Sequence, residues 1–133
     1  MKRIVNTTII IIVCFLGVVG FAQKKRTMSG PCKDPTTQFE MNFCSRREYE
    51  KADAEMNRVY KQLILELAGY ETNHQPKFQE AHSLWLKYRD ANCDSEASIY
   101  EGGTIRPTIY YSCLASLTQE RTKRIKAFLD EIK

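Results

Sequence analysis

Between Pro35 and Gly69 the sequence contains neither proline nor glycine. An interval that long without a helix breaker folds as one helix when its apolar residues fall on one face. They do: Tyr49, Ala52, Met56, Val59, Leu63 and Leu67 advance by steps of three and four, and Phe39 and Phe43 extend the apolar content toward the start. Thr36 or Thr37 offers the N-cap, with Glu40 three residues after Thr37 at the spacing of a capping box. Gly69 ends the helix, and Glu71 to Pro76 form the turn.

A second helix begins near Pro76, since proline suits a first helical turn. It fades around Ser98 to Tyr100, and Phe78, Ala81, Trp85 and Tyr88 make its expected buried stripe. Glu101-Gly102-Gly103-Thr104 is an irregular loop, because paired glycines disfavour helix and strand interiors. Arg106-Pro107 opens a third helix with the stripe Tyr110, Leu114, Leu117, Arg121, Ile125, Phe128 and Ile132. Past the N-terminal apolar run, neither period-two alternation nor hairpin turn pairs appear. Short connections make neighbouring helices antiparallel, so the expected fold is all-α: an antiparallel helical hairpin plus a third helix, forming a disulfide-stapled three-helix bundle.

The first residues belong to a different kind of segment. Lys2 and Arg3 precede an almost wholly apolar run from Thr7 to Val19, and Gly20-Phe21-Ala22 places small residues at the minus-three and minus-one positions of a cleavage site. Residues 1–22 are therefore read as a signal peptide, residues 23–35 as an extended N-terminal segment and residues 36–133 as the helical domain. The alternatives are an uncleaved anchor, for which the run is short of the roughly 20 residues a span needs, and a lipoprotein at Cys14. Against the lipoprotein, Val13 stands where a small residue is wanted. Cleavage removes Lys2 and Arg3 from 20 basic residues, leaving 18 against 16 acidic ones and a net charge near +2. That balance argues against a nucleic-acid partner, which attracts a clear basic excess; membrane contact is expected only through the signal peptide before cleavage.

Cleavage also leaves four of five cysteines: Cys32, Cys44, Cys93 and Cys113. An even number in a short exported chain marks a disulfide framework and a periplasmic or secreted location. Cys93 and Cys113 bracket the Gly102-Gly103 loop, and Cys32 and Cys44 can tie the extended segment onto the first helix. This sequential pairing is favoured, with Cys32–Cys113 and Cys44–Cys93 as the rival. No Cys-x-x-Cys pair occurs and His74 and His82 are remote from the cysteines, so no metal site or cofactor is expected.

Polar residues on or beside the stripes carry the rest. Asp53 and Asn57 share a helix face. Asp53 lies about 15 residues before the turn and Arg89 about 14 after it, so a rise of about 1.5 Å per residue brings both to one height in a hairpin. They are expected to pair, with Asn57 or Tyr60 completing the hydrogen bonds, as a register-fixing rather than a ligand-binding pair. Trp85 beside them reads as core. Arg121 interrupts an apolar stripe and is expected to pair with Glu120, Asp90 or a helix end. His82 lies beside the second stripe as a structural residue. No nucleophile elbow, phosphate loop or zinc-binding helix motif is present, so no catalytic residue is nominated and a non-enzyme is expected.

Two runs resemble a known family. Ala52-Asp53-Ala54-Glu55-Met56-Asn57-Arg58-Val59-Tyr60 is similar to its AD-x-x-L/M-N-x-x-Y signature, and Trp85-Leu86-Lys87-Tyr88-Arg89-Asp90-Ala91-Asn92-Cys93 to its W-L-x-Y-R-D-x-x-C signature. Gly102-Gly103-Thr104-Ile105 with Pro107, then Cys113-Leu114 and Leu117-Thr118-x-x-Arg121-Thr122, follow in its order, and Cys32 and Cys44 stand where it has its first two cysteines. The chain so resembles the lysozyme inhibitor LprI-like N-terminal domain family. The resemblance implies a helical, exported, protein-binding module whose partner is lysozyme, inhibited by non-covalent binding. The competing expectation is a non-enzymatic envelope protein binding peptidoglycan or another exported protein. Loops on a rigid scaffold carry most binding, so Tyr100, Glu101, Arg106 and Tyr111, at the end where loop 100–107 meets segment 23–35, are the candidate partner contacts.

Overall fold

Thr37 sets the start of the first helix. Its hydroxyl accepts the Glu40 backbone N–H at 3.2 Å, while the Glu40 carboxylate accepts the N–H groups of Thr37 at 3.0 Å and Thr36 at 2.9 Å. This capping box occupies donors that helix geometry leaves bare, and those bonds hold the Glu40 carboxyl below its usual range. The computed structural model describes residues 32–133, with α1 spanning Gln38–Leu67, α2 Gln75–Ser98 and α3 Arg106–Ile132. The signal peptide expected over residues 1–22 and residues 23–31 of the extended segment lie outside the described residues. No strand occurs among the described residues, and none of the helices is long and apolar enough to cross a membrane.

α1 and α3 run parallel, with α2 antiparallel to both. Gln38 donates to Thr108 at 2.9 Å near the start of both parallel helices, and Lys126 meets Glu55 at 2.7 Å farther along. The Tyr70 hydroxyl, just past α1, donates to the carbonyl of Ile132 at 3.0 Å. The closest helix pair is α1 with α3; α2 packs on α3, and its backbone barely approaches that of α1. Side-chain size accounts for this, since interaxial distance follows the residues at the contact. Ala52 on α1 and Ala115, Thr118 and Thr122 on α3 are small and buried. Tyr49, Tyr60, Trp85 and Arg89 stand between α1 and α2 and hold them apart.

Val59, Leu63, Leu67, Ile125 and Leu129 form the aliphatic core, flanked by Tyr60, Ile64, Phe78, Phe128 and Ile132. It fills the end remote from the disulfides. The stripe expected on α1 is the buried stripe from Ala52 to Leu67. On α3, Leu114 and Ile125 are buried as expected, joined by Ala115, Thr118, Thr122 and Leu129.

α2 differs from its sequence reading. Phe78 and Trp85 are only half-buried, Ala81 is exposed and Tyr88 is 57% exposed. The buried residues are instead His82, Arg89, Cys93 and Ala97. The helix is rotated so that Arg89 reaches acceptors inside and Cys93 reaches Cys113. A face chosen by hydrogen bonds and sulfur leaves no apolar periodicity to read.

Candidate functional site

Arg89 lies at the centre of the bundle and is 5% exposed. A buried guanidinium needs acceptors for its donors. One comes from α1, where Asp53 Oδ1 lies 3.2 Å from Nη1; another is the adjacent Asp90 on α2, 2.8 Å from Nη2; and the Thr118 hydroxyl on α3 lies 3.4 Å from Nη1. Asn57 donates to the second oxygen of Asp53 at 2.9 Å. Arg89 thus joins all three helices. Burial pulls its pKa down, but Asp90, Tyr49 and Asp53 more than offset this and hold it above its ordinary value.

Tyr60, named as an alternative partner of this pair, stacks instead on His82 with ring centroids 3.9 Å apart. Tyr49 and Trp85 each hold their ring centroid 5.4 Å from the Arg89 guanidinium carbon. Arg121 covers Trp85 at 5.7 Å. Tyr49, Arg89, Trp85 and Arg121 therefore form a ladder of alternating rings and cations, an arrangement that favours arginine over aromatic faces. The ion pair expected for Arg121 with Glu120 or Asp90 does not form: Asp90 is engaged by Arg89, and Arg121 takes part in no ion pair among the described residues. His82 is buried with Nδ1 lacking a partner, and its pKa is lowered by burial first and then by Arg121 and Arg89.

The other candidate region is the disulfide end. Cys32 bonds Cys44 and Cys93 bonds Cys113, with Cα atoms 5.4 Å and 5.5 Å apart. The favoured sequential pairing is the one present. Between α2 and α3, Gly102 adopts φ +75°, a left-handed conformation suited to glycine. Arg106 braces the loop by pairing with Asp94 at 2.7 Å and Glu101 at 2.8 Å. Among the four candidate contacts, Glu101 and Arg106 thus bind each other. Tyr100 is exposed on the loop, while Tyr111 lies on α3 against Tyr49, 6.0 Å between centroids.

Tyr111 also helps line a groove of about 410 Å3 with Phe39, Asn42, Phe43, Arg46 and Pro107. Phe39 is 69% exposed. Sequence reasoning missed this groove by treating Phe39 and Phe43 as an extension of the buried stripe. The signal was present in the spacing: residues 39, 43 and 46 share a face, one that is out of phase with Tyr49, Ala52 and Met56. No cluster of His, Cys, Asp and Glu among the described residues is arranged to hold a metal ion.

Residues 32–125 match the family model described as Lysozyme inhibitor LprI, a span that holds both disulfides, the Arg89 cluster and the braced loop. The chain belongs to the lysozyme inhibitor LprI family. A relative described as an uncharacterized protein, R02472 of Rhizobium meliloti (strain 1021), is 28% identical over 109 residues, covering 74% of this chain and 78% of that protein. No solved structure matches the chain. In this LprI family member the motif residues Asp53, Asn57, Trp85, Arg89 and Asp90 meet around the buried Arg89, with Asp53 and Trp85 half-buried and Asn57 and Asp90 exposed at the edge.

Proposed function

We propose that this chain is an exported protein-binding module that inhibits lysozyme by non-covalent binding through its disulfide end. The LprI family match across all three helices carries this reading. The groove of Phe39, Phe43, Pro107 and Tyr111 supplies the apolar anchors that binding interfaces need at their centre. Tyr100 and Tyr111 are its direct contacts; Glu101 and Arg106 hold the loop in shape, so little conformational freedom is lost on binding. The module occludes its partner and performs no reaction. Residues 1–22 direct export and are removed, and the disulfides suit the oxidising periplasm or extracellular space.

A lysozyme turbidity assay tests this. Clearing of cell-wall suspensions by animal or bacterial lysozyme slows as purified protein approaches the enzyme concentration, and Tyr111→Ala weakens the effect. Full lysozyme activity at large molar excess of protein sinks the reading. The near-neutral charge of the processed chain favours a second reading, because it gives no strong attraction to a basic enzyme: an envelope protein that binds peptidoglycan or another exported protein. Capture of cell-wall fragments in place of lysozyme from envelope extracts distinguishes the two.

A further inference from the structure

Opposite the disulfide end, all three helices contribute to a cleft of about 220 Å3 lined by Leu63, Phe78, Arg121, Arg124, Ile125 and Phe128. We propose that this cleft binds a carboxylate carried on a compact apolar group. The proposal stands apart from lysozyme inhibition, which uses the other end of the molecule.

The floor supplies the apolar half of the argument. Leu63 and Ile125 are buried core residues, and the Phe78 and Phe128 rings stack 5.3 Å apart. The cleft falls below the 300–1,000 Å3 or so of drug-sized sites. It fits one small side chain and a terminal group, not an extended ligand.

The charged half comes from two guanidinium groups three residues apart on one face of α3. Neither Arg121 nor Arg124 takes part in an ion pair among the described residues. Arg121 is half-buried, and its Nε is buried without an acceptor. The repulsion of Arg124 adds to burial in lowering its pKa. Trp85 holds the Arg121 guanidinium in place from one side. The same indole also carries Arg89, which has two carboxylates of its own. One tryptophan therefore carries a neutralised arginine and one without a counter-ion. A planar carboxylate matches the guanidinium fork and supplies the counter-ion that Arg121 and Arg124 lack, while its apolar substituent covers Phe78 and Phe128. A free small acid and the C-terminus of a peptide ending in an apolar residue both present this chemistry.

Heteronuclear NMR titration of the purified protein tests the site with four probes: N-acetyl-leucine, its amide, glycyl-glycyl-leucine and inorganic phosphate. Both carboxylate probes are expected to saturate and to shift the signals of Phe78, Arg121 and Phe128. The amide binds roughly tenfold more weakly, as loss of a charge-assisted hydrogen bond implies. Arg124→Gln replaces an exposed side chain and keeps the fold; it weakens both acids by about the same factor and leaves the amide unchanged. Tighter binding of the tripeptide identifies peptide ends as the ligand, and equal binding identifies small acids generally; both results support the proposal. Acid and amide binding alike, phosphate binding alone, or an Arg124→Gln variant with undiminished acid affinity each overturns it.

Discussion

The buried residues of α1 are Ala52, Met56, Val59, Leu63 and Leu67, whereas those of α2 are His82, Arg89, Cys93 and Ala97. α1 is held by area removed from water, a force that depends little on direction. α2 is held by particular partners: carboxylates on Arg89, rings around His82 and a sulfur bond at Cys93. Aliphatic packing tolerates change that conserves volume. A buried charge tolerates no loss of its partners, because the unpaired group keeps its full desolvation cost. Neighbouring helices of one small bundle should therefore respond differently to equally conservative changes.

The largest test is Arg89→Ala, which strands Asp53 and opens the space between Tyr49 and Trp85. It is expected to cost about 3–5 kcal/mol in urea unfolding; a loss below about 1 kcal/mol would break the comparison. Asp53→Asn costs less, since Asp53 is a third exposed and Asp90 continues to pair with Arg89. Next comes removal of the Cys93–Cys113 bond by paired serine substitutions. Its separation of 20 residues implies a loss of about 3 kcal/mol. Hydrogen exchange should then speed up in α2 well before α1, and uniform loss of protection would deny that α2 depends on discrete ties.

A smaller effect sharpens the aliphatic side. Met56 is 1% exposed, yet Met56→Leu nearly conserves its volume and should cost under about 1.5 kcal/mol. Arg89→Lys, equally conservative in charge, should cost more because it discards the planar fork. Denaturation midpoints of the two variants decide the order.

The smallest effect is in pH dependence. His82 titrates below its ordinary 6.5 in the folded chain, so the unfolded chain binds the extra proton. Stability is therefore full above 6.5 and declines as pH falls through 6.5 toward the folded value. His82→Phe keeps a ring against Tyr60 and should flatten that decline. Glu55 is held to about 2 by Arg58 and Lys126, so its contribution is present above its ordinary 4.5 and disappears only between there and about 2. Thermal melts between pH 7 and 5 separate the two groups.

Legibility in the sequence follows the same division. The capping box at Thr37 and Glu40 and the α1 stripe were readable because they depend on local spacing. The height match of Asp53 and Arg89 was readable because helix rise is fixed. The rotation of α2 was not, since Tyr88 looks more buriable than Arg89 until acceptors from α1 and α3 are in place. The partner of Arg121 was misjudged for the same reason: Asp90 was available in sequence but occupied in space. Phe39 and Phe43 became a groove only when Pro107 and Tyr111 of α3 closed its other wall.

Taken alone, the sequence determined that three helices form and where the first begins, and it favoured one of two cysteine pairings, because periodicity, caps and short loops act over a few residues. Tertiary structure alone decided that α1 lies closest to α3, that Arg89 rather than Tyr88 turns inward, and that Arg121 is left without a carboxylate. Those outcomes depend on which side chains from distant parts of the chain compete for one space and one set of acceptors, and no local pattern encodes that competition.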